Sequence, residues 1–469
     1  MPKAKKSFLS RLSINLTVII MKLEYERPDA WGMLNNKDVF SFADEYKKFI
    51  GNAKTEREVV SEIIRLAEKS GFKPWPKSKE RFYISFKEKA IALVVKGMER
   101  PENGLFVLAA HLDSPRIDLK MVPLYEDKDS NLALLDTHYY GGIKKYQWLN
   151  HPLAMHGVIV KKNGKKINVK LGEKGDEVLV IPDLLPHLAK KQLEKPAKEF
   201  IEGENLDLVA GHIPKKYKEK GKEEASIKKA ILDILNKKYG IEEADLISAD
   251  LEVVPAGQPR DVGFDRGLIG GYGHDDRSSV FTVLKAVLGT KRPARTVVAF
   301  FFDKEEIGSE GNTSAKSHFL RHVVSLIAKD PDLALLNSVA ISADVDAGIH
   351  PLYKDVFEKK NAGVLGRGVI ITKYTGYGGK YMASEARAEF VASIRRILDS
   401  AKVPWQPGTL GKVDAGGGGT VAAYLARYGM DIIDMGVPVL SMHSPFEIIS
   451  KADLYSAYLA FKAFIGSKL

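Results

Sequence analysis

The chain of 469 residues has no cysteine. That absence excludes disulfides and thiolate zinc sites, so any metal must be held by His, Asp or Glu. A cysteine-free chain also fits a cytoplasmic setting. Long hydrophobic runs are missing as well. The first segment, MPKAKKSFLSRLSINLTVIIMK, begins basic and turns mildly apolar, but Arg11, Ser13, Asn15 and Thr17 interrupt it and no small-residue cleavage site follows. It is too short and too polar to span a bilayer. Residues 1–33 therefore read as a disordered leader, with Met21 as an alternative start. No internal repeat is visible, and no other segment has a transmembrane character.

A one-sided charge distribution is also lacking. The formal net charge is +11, from 71 basic and 60 acidic residues. The densest basic run, Ile213–Ala230 (IPKKYKEKGKEEASIKKA), mixes both signs and has none of the interleaved aromatics that single-stranded nucleic acids favour. It reads as a solvated helix face or an excursion, and no nucleic-acid partner is expected. The abundance of Lys and Glu would suit a heat-adapted organism. With 45% hydrophobic and 28% charged residues, the chain reads as an ordinary soluble protein of a length comfortable for two domains.

Apolar residues recur at helical spacing from Asp38 to Phe72, which predicts two amphipathic helices broken near Gly51, with Thr55 as N-cap and Gly71 as stop. RFYISFKEKAIALVVKG reads as a strand hairpin and GLFVLAAHLDSP as a buried strand. From Asp261 onward, strands and helices alternate again. The rhythm predicts an α/β fold. Between them, HPLAMHGVIVKKNGKKINVKLGE alternates about a KNGKK turn as a half-exposed hairpin does, and LISADLEVVPAG suggests a further strand pair. The expected organisation is a split catalytic domain, 34–121 and 260–469, with a second domain inserted at 122–259.

Four predicted strands end in hard metal ligands. LAAHLD ends in His111 and Asp113, AFFFDKEE in Glu305 and Glu306, AISAD in Asp344 and VLSMHSP in His443; the loop GYGHDDRSS adds His274, Asp275 and Asp276. Each alone has an ordinary explanation, as a strand-end polar group or a helix cap. Together they place many carboxylates at one sheet edge, where burial without a cation is costly. In open α/β sheets, ligands bind beyond the carboxyl ends of the strands. A carboxylate and imidazole set without thiolates suits hard or borderline divalent metals. Two metals roughly 3.5–4 Å apart can share a carboxylate and activate one water. Adjacent glutamates at a strand end can then supply one metal ligand and one base.

In this order, AAHLDSPRIDLK, GHDDRSS, FFDKEEIGSEGN, SADVDAGIHP and SMHSPFE resemble the dizinc aminopeptidases of the aspartyl aminopeptidase and vacuolar aminopeptidase I family. The resemblance runs over nearly the whole chain from about residue 34, and HxDSP separates it from the shorter tetrahedral aminopeptidases. It implies a zinc-exopeptidase-like central mixed sheet flanked by helices, with an inserted, mainly β, oligomerisation domain. It implies an aminopeptidase acting on peptides with two divalent ions per subunit, zinc first and manganese or cobalt as alternatives. His111, Asp275, Glu306, Asp344 and His443 would be the ligands, with Asp275 bridging. Glu305 would be the general base, and Asp113 would orient His111. The inserted domain would build dimers that assemble into a tetrahedral dodecamer, with His187 in IPDLLPHLAKK reaching a neighbouring subunit's active site. Lys373 would contact substrate, and Gly417 and Gly418 in KVDAGGGGT would line the specificity pocket. Acid-selective members carry a histidine where this chain has Ala347, so a neutral or broad preference stands beside an acidic one. A dizinc deacylase or carboxypeptidase and a non-catalytic scaffold are the alternative readings.

Overall fold

The computed structural model describes residues 24–469 except 174, 176, 220 and 221 and the side chains of 219 and 222. Its centre is built from runs such as AIALVV, FVLAAH, VVAFFF and VAISA, whose residues are buried almost throughout. They form part of a nine-stranded mixed sheet. Its order is Lys73–Pro74, Arg81–Phe86, Ala90–Val95, Val297–Phe302, Phe106–His111, Val339–Ala343, Asp431–Gly436, Val369–Thr372 and Trp405–Pro407. Successive side chains alternate between faces. Phe106, Leu108 and Ala110 pack into one core with the helices Asn36–Asn52, Glu56–Lys69, His274–Gly289, Ala388–Ser400 and Lys451–Ile465. Val107 and Ala109 enter a second core, on the side of Phe319–Ser325, Pro331–Leu336 and Ala422–Leu425.

The register matters most for function. Val297–Phe302 runs parallel to Phe106–His111 with Phe302 opposite His111, and Val339–Ala343 lies parallel on the other side. Three chain segments therefore leave the sheet at the same edge, carrying His111, the Glu305–Glu306 pair and Asp344. A five-stranded sheet is made of Arg260–Val262, Leu268–Gly271, Glu447–Ser450, Pro438–Leu440 and Asp346–Ala347, the last beginning two residues after Asp344.

A third sheet orders Lys166–Leu171, Leu153–Val160, Ala249–Pro255, Arg116–Asp127, Leu132–Tyr140 and Leu208–Gly211 about its own core, in which Trp148 is fully buried. This inserted layer begins at Arg116, earlier than the expected 122, because one strand runs unbroken through that point. Among the described residues, no helix is long and apolar enough to cross a membrane.

The Asn36–Asn52 and Glu56–Lys69 helices agree with the sequence pattern. Thr55 and Glu58 form a reciprocal capping box, and Gly71 leaves the second helix at φ +87°, a left-handed value that costs glycine little. Elsewhere the structure refines the pattern. The basic run folds as an antiparallel hairpin, Lys215–Glu219 with Lys222–Ser226, followed by the helix Ile227–Tyr239. Lys218 stands opposite Glu223 there. LISADLEVVPAG contributes one strand, Ala249–Pro255, after a 3₁₀ segment. Of the expected leader, residues 1–23 lie outside the described residues. Ala30–Met33 are helical, and Ala30 is fully buried against Val39 and Ala452. The ordered fold thus starts before the expected boundary at 34, since this short turn covers the start of the C-terminal helix.

The inserted sheet is joined to the main body through a buried ionic cluster. His156 Nδ1 lies 3.0 Å from Glu58 Oε1 and its Nε2 lies 3.2 Å from Glu173 Oε1. Lys54 Nζ pairs with the same Glu173 oxygen at 2.5 Å, and Lys170 faces Glu58 at 3.5 Å. Burial alone would lower the His156 pKa, but the two glutamates outweigh it and raise it. Burial works upward on Glu58, yet His156 holds it down at about 2, against 4.5 when unfolded. The raised imidazole contributes stability that is complete below its unfolded 6.5 and is lost as pH rises through the folded value. The depressed carboxylate contributes above 4.5 and fades as pH falls towards about 2. His156→Ala is therefore expected to cost roughly 3 kcal/mol between these limits, the penalty of uncovering a buried charge. Thermal melts across pH would show the mutant–wild-type gap widest in mildly acidic buffer and narrower in alkaline buffer; a gap independent of pH would refute the assignment.

Candidate metal centre and substrate cleft

At the shared strand edge the ligand-type residues converge. Among the described residues, two groups bring their ligand atoms within 4.8 Å of one another: His111, Asp275 and Asp344; and Asp275, Glu306 and His443. Asp275 belongs to both. His111 Nε2 lies 3.2 Å from its Oδ1, and His443 Nε2 lies 3.2 Å from its Oδ2. The two imidazoles thus face opposite oxygens of one carboxylate.

Hydrogen bonds behind the cluster fix which nitrogen faces inward. His111 Nδ1 donates to the Asp113 carbonyl at 3.0 Å, and His443 Nδ1 to the Gly142 carbonyl at 2.8 Å. Each ring therefore keeps Nε2 for the cluster. Asp113 does more than the sequence suggested. Its carboxylate stands 3.5 Å from His111 Nδ1, while its two oxygens accept the backbone N–H groups of Glu305 and Glu306 at 3.1 and 3.2 Å. After the buried strand, Lys304 takes a left-handed φ of +66°, and Glu305–Ile307 form a single helical turn. Asp113 thereby anchors the turn carrying both glutamates.

Asp276 sits beside the cluster and accepts the His111 backbone N–H at 3.3 Å. His274 turns away to the Tyr46 hydroxyl, 2.7 Å distant, and burial pushes its pKa down to about 3, so it is neutral. Glu447 is a residue that sequence reasoning missed. Its two oxygens accept the N–H groups of Asp275 at 3.0 Å and His443 at 2.7 Å, tying the shared carboxylate to the far imidazole. The available signal was its place at the end of SMHSPFE, in the first position of a buried strand.

The electrostatics call for positive charge. Burial, with Asp275 close by, raises Glu306 well above its ordinary value, and one of its oxygens is buried without a hydrogen-bond partner. Burial likewise raises Asp344 and Glu447, the latter to about 8. Burial opposes charge on His443, but Asp275 and Glu306 overcome it and lift the pKa to about 10. His111 rises for the same kind of reason, under Asp113, Asp275 and Asp344. A buried acidic group that draws protons onto its histidines suits divalent cations, and its nitrogen and oxygen donors suit zinc.

The cluster opens into a cleft of about 460 Å³ whose lining includes Glu305, Asp346, Thr372, Asp434, Gly417 and Gly418. At Gly417 a Cβ would stand 2.1 Å from the Gly376 carbonyl, and the Gly376 N–H donates to the Gly418 carbonyl at 2.7 Å. A side chain would not fit at Gly417, whereas a Cβ on Gly418 would meet nothing nearer than Leu410 at 3.7 Å. Lys373 Nζ lies 3.6 Å from Glu385, and Lys373 is not among the lining residues; Lys380 and Lys412 are. His187 lies on the exposed turn Pro186–Leu188, also outside the lining, beside the exposed Leu184, Leu185 and Leu188.

Known proteins share this arrangement of chain. Residues 49–465 match the family described as aminopeptidase I zinc metalloprotease, M18. A Clostridium acetobutylicum relative, called "Probable M18 family aminopeptidase 1", is 46% identical over 463 residues, spanning 94% of this chain and 98% of its own. The crystal structure of an M18 aminopeptidase from Thermotoga maritima has a TM-score of 0.90 at 46% identity, covering 95% of this chain and all (100%) of that one. The S. cerevisiae mApe1 dodecamer shares the fold at 23% identity, with a TM-score of 0.73 and coverage of 92% of this chain and 97% of that one.

Proposed function

This chain belongs to the M18 family of aminopeptidase I zinc metalloproteases, and from that premise we propose which of its residues carry out the hydrolysis. The protein is a metalloaminopeptidase that removes N-terminal residues from peptides. The family match favours this over the deacylase, carboxypeptidase and scaffold readings. The observation that carries the site assignment is the Asp275 carboxylate, faced on one oxygen by His111 and on the other by His443.

Two divalent ions per subunit are proposed, zinc before manganese or cobalt. His111 and Asp344 would hold one, Glu306 and His443 the other, and Asp275 both. When bound, such ions lower the pKa of water towards ~7 and polarise a carbonyl oxygen. Glu305 stands outside both ligand groups yet lines the cleft. Its carboxylate would take the proton of the attacking water and deliver it to the leaving amine. Asp113 would hold Glu305 and Glu306 in place through their backbone amides.

The cleft supports a neutral or broad preference. Asp346 and Asp434 are among its buried lining residues, where Thr372 donates to the first at 2.9 Å and Thr420 to the second at 2.6 Å. Carboxyl groups there disfavour an acidic side chain, and no histidine stands at Ala347 to offset them. A panel of Leu, Met, Lys, Asp and Glu p-nitroanilides, run on metal-stripped enzyme and after zinc, cobalt or manganese is restored, is expected to show metal-dependent cleavage. Leu or Met should lead Asp and Glu by at least about tenfold, the worth of roughly 1.4 kcal/mol in the barrier. Asp or Glu leading would overturn the specificity, and cleavage without metal would overturn the site.

The proposed assembly is a tetrahedral dodecamer built of dimers; the yeast mApe1 neighbour is a dodecamer. The apolar, exposed segment about His187 suits burial against another copy and would bring that histidine to a neighbour's cleft. The cytoplasm is the proposed setting, in keeping with a chain free of cysteine.

A further inference from the structure

Resting on the site assignment above, we propose that the strand end Tyr140–Gly141–Gly142, in the inserted layer, is a positioning element that holds both halves of the metal centre. Three contacts carry this. The Tyr140 hydroxyl donates to Asp113 Oδ2 at 2.8 Å. Asp113 is the carboxylate that accepts the N–H groups of both Glu305 and Glu306, and its carbonyl receives His111 Nδ1. Two residues along, the Gly142 carbonyl receives His443 Nδ1 at 2.8 Å. One short segment thus reaches the base, a ligand of each group and the orientation of both imidazoles.

The segment is itself held. The Arg116 guanidinium lies 3.9 Å from the Tyr140 ring centroid. Arg116 is buried and donates to Asp118 at 2.8 Å, with Glu252 at 3.2 Å and Glu56 at 3.8 Å. Two of these acids belong to the inserted sheet, while Glu56 starts a helix of the main body. Pairing with three carboxylates keeps the cation fixed behind the ring. The two glycines permit the approach. A Cβ on Gly141 would meet Glu306 Cβ at 3.4 Å, and one on Gly142 would meet His443 Nδ1 at 3.4 Å. Gly141 also has a φ of +75°, where other residues are strained.

The layer inserted between the two halves of the catalytic body therefore does more than present a surface. It completes the support of the metal ligands, so the centre depends on the register of the Leu132–Tyr140 strand. Neighbours of metal ligands typically contribute 10–100-fold to affinity or activity.

Tyr140→Phe tests this, because it keeps the ring over Arg116 and removes only the donor. Expected are a fall in kcat of roughly 10- to 100-fold with KM changed less than about twofold, faster loss of metal to a chelator, and a shifted visible spectrum of the cobalt(II)-loaded enzyme. Gly142→Ala is expected to shift the cobalt spectrum through His443, whereas Tyr139→Phe, a half-exposed neighbour on the same strand, should leave all readouts unchanged. Tyr140→Phe with wild-type kcat, chelator resistance and cobalt spectrum would overturn the proposal. So would a lower melting temperature with metal retention and spectrum unaltered, since that marks a purely structural role. Failure of the site assignment would look different: wild-type enzyme would then turn over without metal, or Asp275→Asn would keep its metal.

Discussion

Glu305→Gln is expected to lower kcat about a hundred- to ten-thousandfold while leaving metal content unchanged. The amide matches the carboxylate in shape but cannot accept a proton. General-base losses of this class run about 10²–10⁴, or roughly 3–5.5 kcal/mol in the barrier. Three observations make the substitution clean. Glu305 lies outside both ligand groups but lines the cleft. Its backbone N–H, not its side chain, is tied to Asp113. Burial, reinforced by Asp344, Asp113 and Asp275, raises its pKa to about 8 despite His111, so the group is disposed to take up a proton. The measurement is kcat on the best anilide from the panel, with metal counted by plasma mass spectrometry. Near-normal turnover would move the base elsewhere. Loss of metal in step with activity would make Glu305 a ligand. Glu306→Ala is the contrast, expected to lose metal because Glu306 belongs to a ligand group.

The second large effect is expected at Asp275. Asp275→Asn removes the one carboxylate common to both groups and should weaken metal binding at both together. The loss should exceed the roughly 10–100-fold typical of residues that merely support a ligand. Activity should fall below detection, and added zinc, cobalt or manganese should not restore it, although metal-stripped wild-type enzyme should recover. The reason is the geometry at the two oxygens. Each now faces an imidazole Nε2 at 3.2 Å, and an amide can offer an oxygen to only one side. Equilibrium dialysis of the two proteins would decide it. Retention of two metals would remove Asp275 from the shared position, and retention of one would make it a ligand to a single ion.

The proposed ligand residues were legible because of where they stand in the chain. A run such as VVAFFF has no polar atom outside its backbone, so the acids that follow it, Asp303, Glu305 and Glu306, must sit where the strand leaves the sheet. The same holds for His111 after FVLAA, and for Asp344 after VAISA, whose one polar side chain is the buried Ser342. Their supports were not legible in that way. Tyr140 ends a strand of ordinary alternation, LALLDTHYY, next to a tyrosine that is exposed, and nothing local distinguishes the two. Glu447 could have been read only as the last residue of a motif, and the contribution of Gly142 is a backbone carbonyl, which no sequence records. Lys373 rests on the resemblance alone. It was matched to the family's substrate-contacting lysine, and in the fold its Nζ stands 3.6 Å from Glu385.

The sequence by itself determined the α/β alternation, the capped helices, the central strands and the candidate metal-binding side chains at their ends. These follow from local periodicity and from the energy of placing charge after an apolar run, both properties of short segments. Only the tertiary structure decided that Asp275 lies between two imidazoles, that Asp113 serves backbone amides beside its histidine, and that the inserted sheet reaches into the centre. Those contacts join residues far apart in the chain. Strand register and hydrogen-bond direction bring them together, and a shift of one residue in a strand would turn every side chain to the other face.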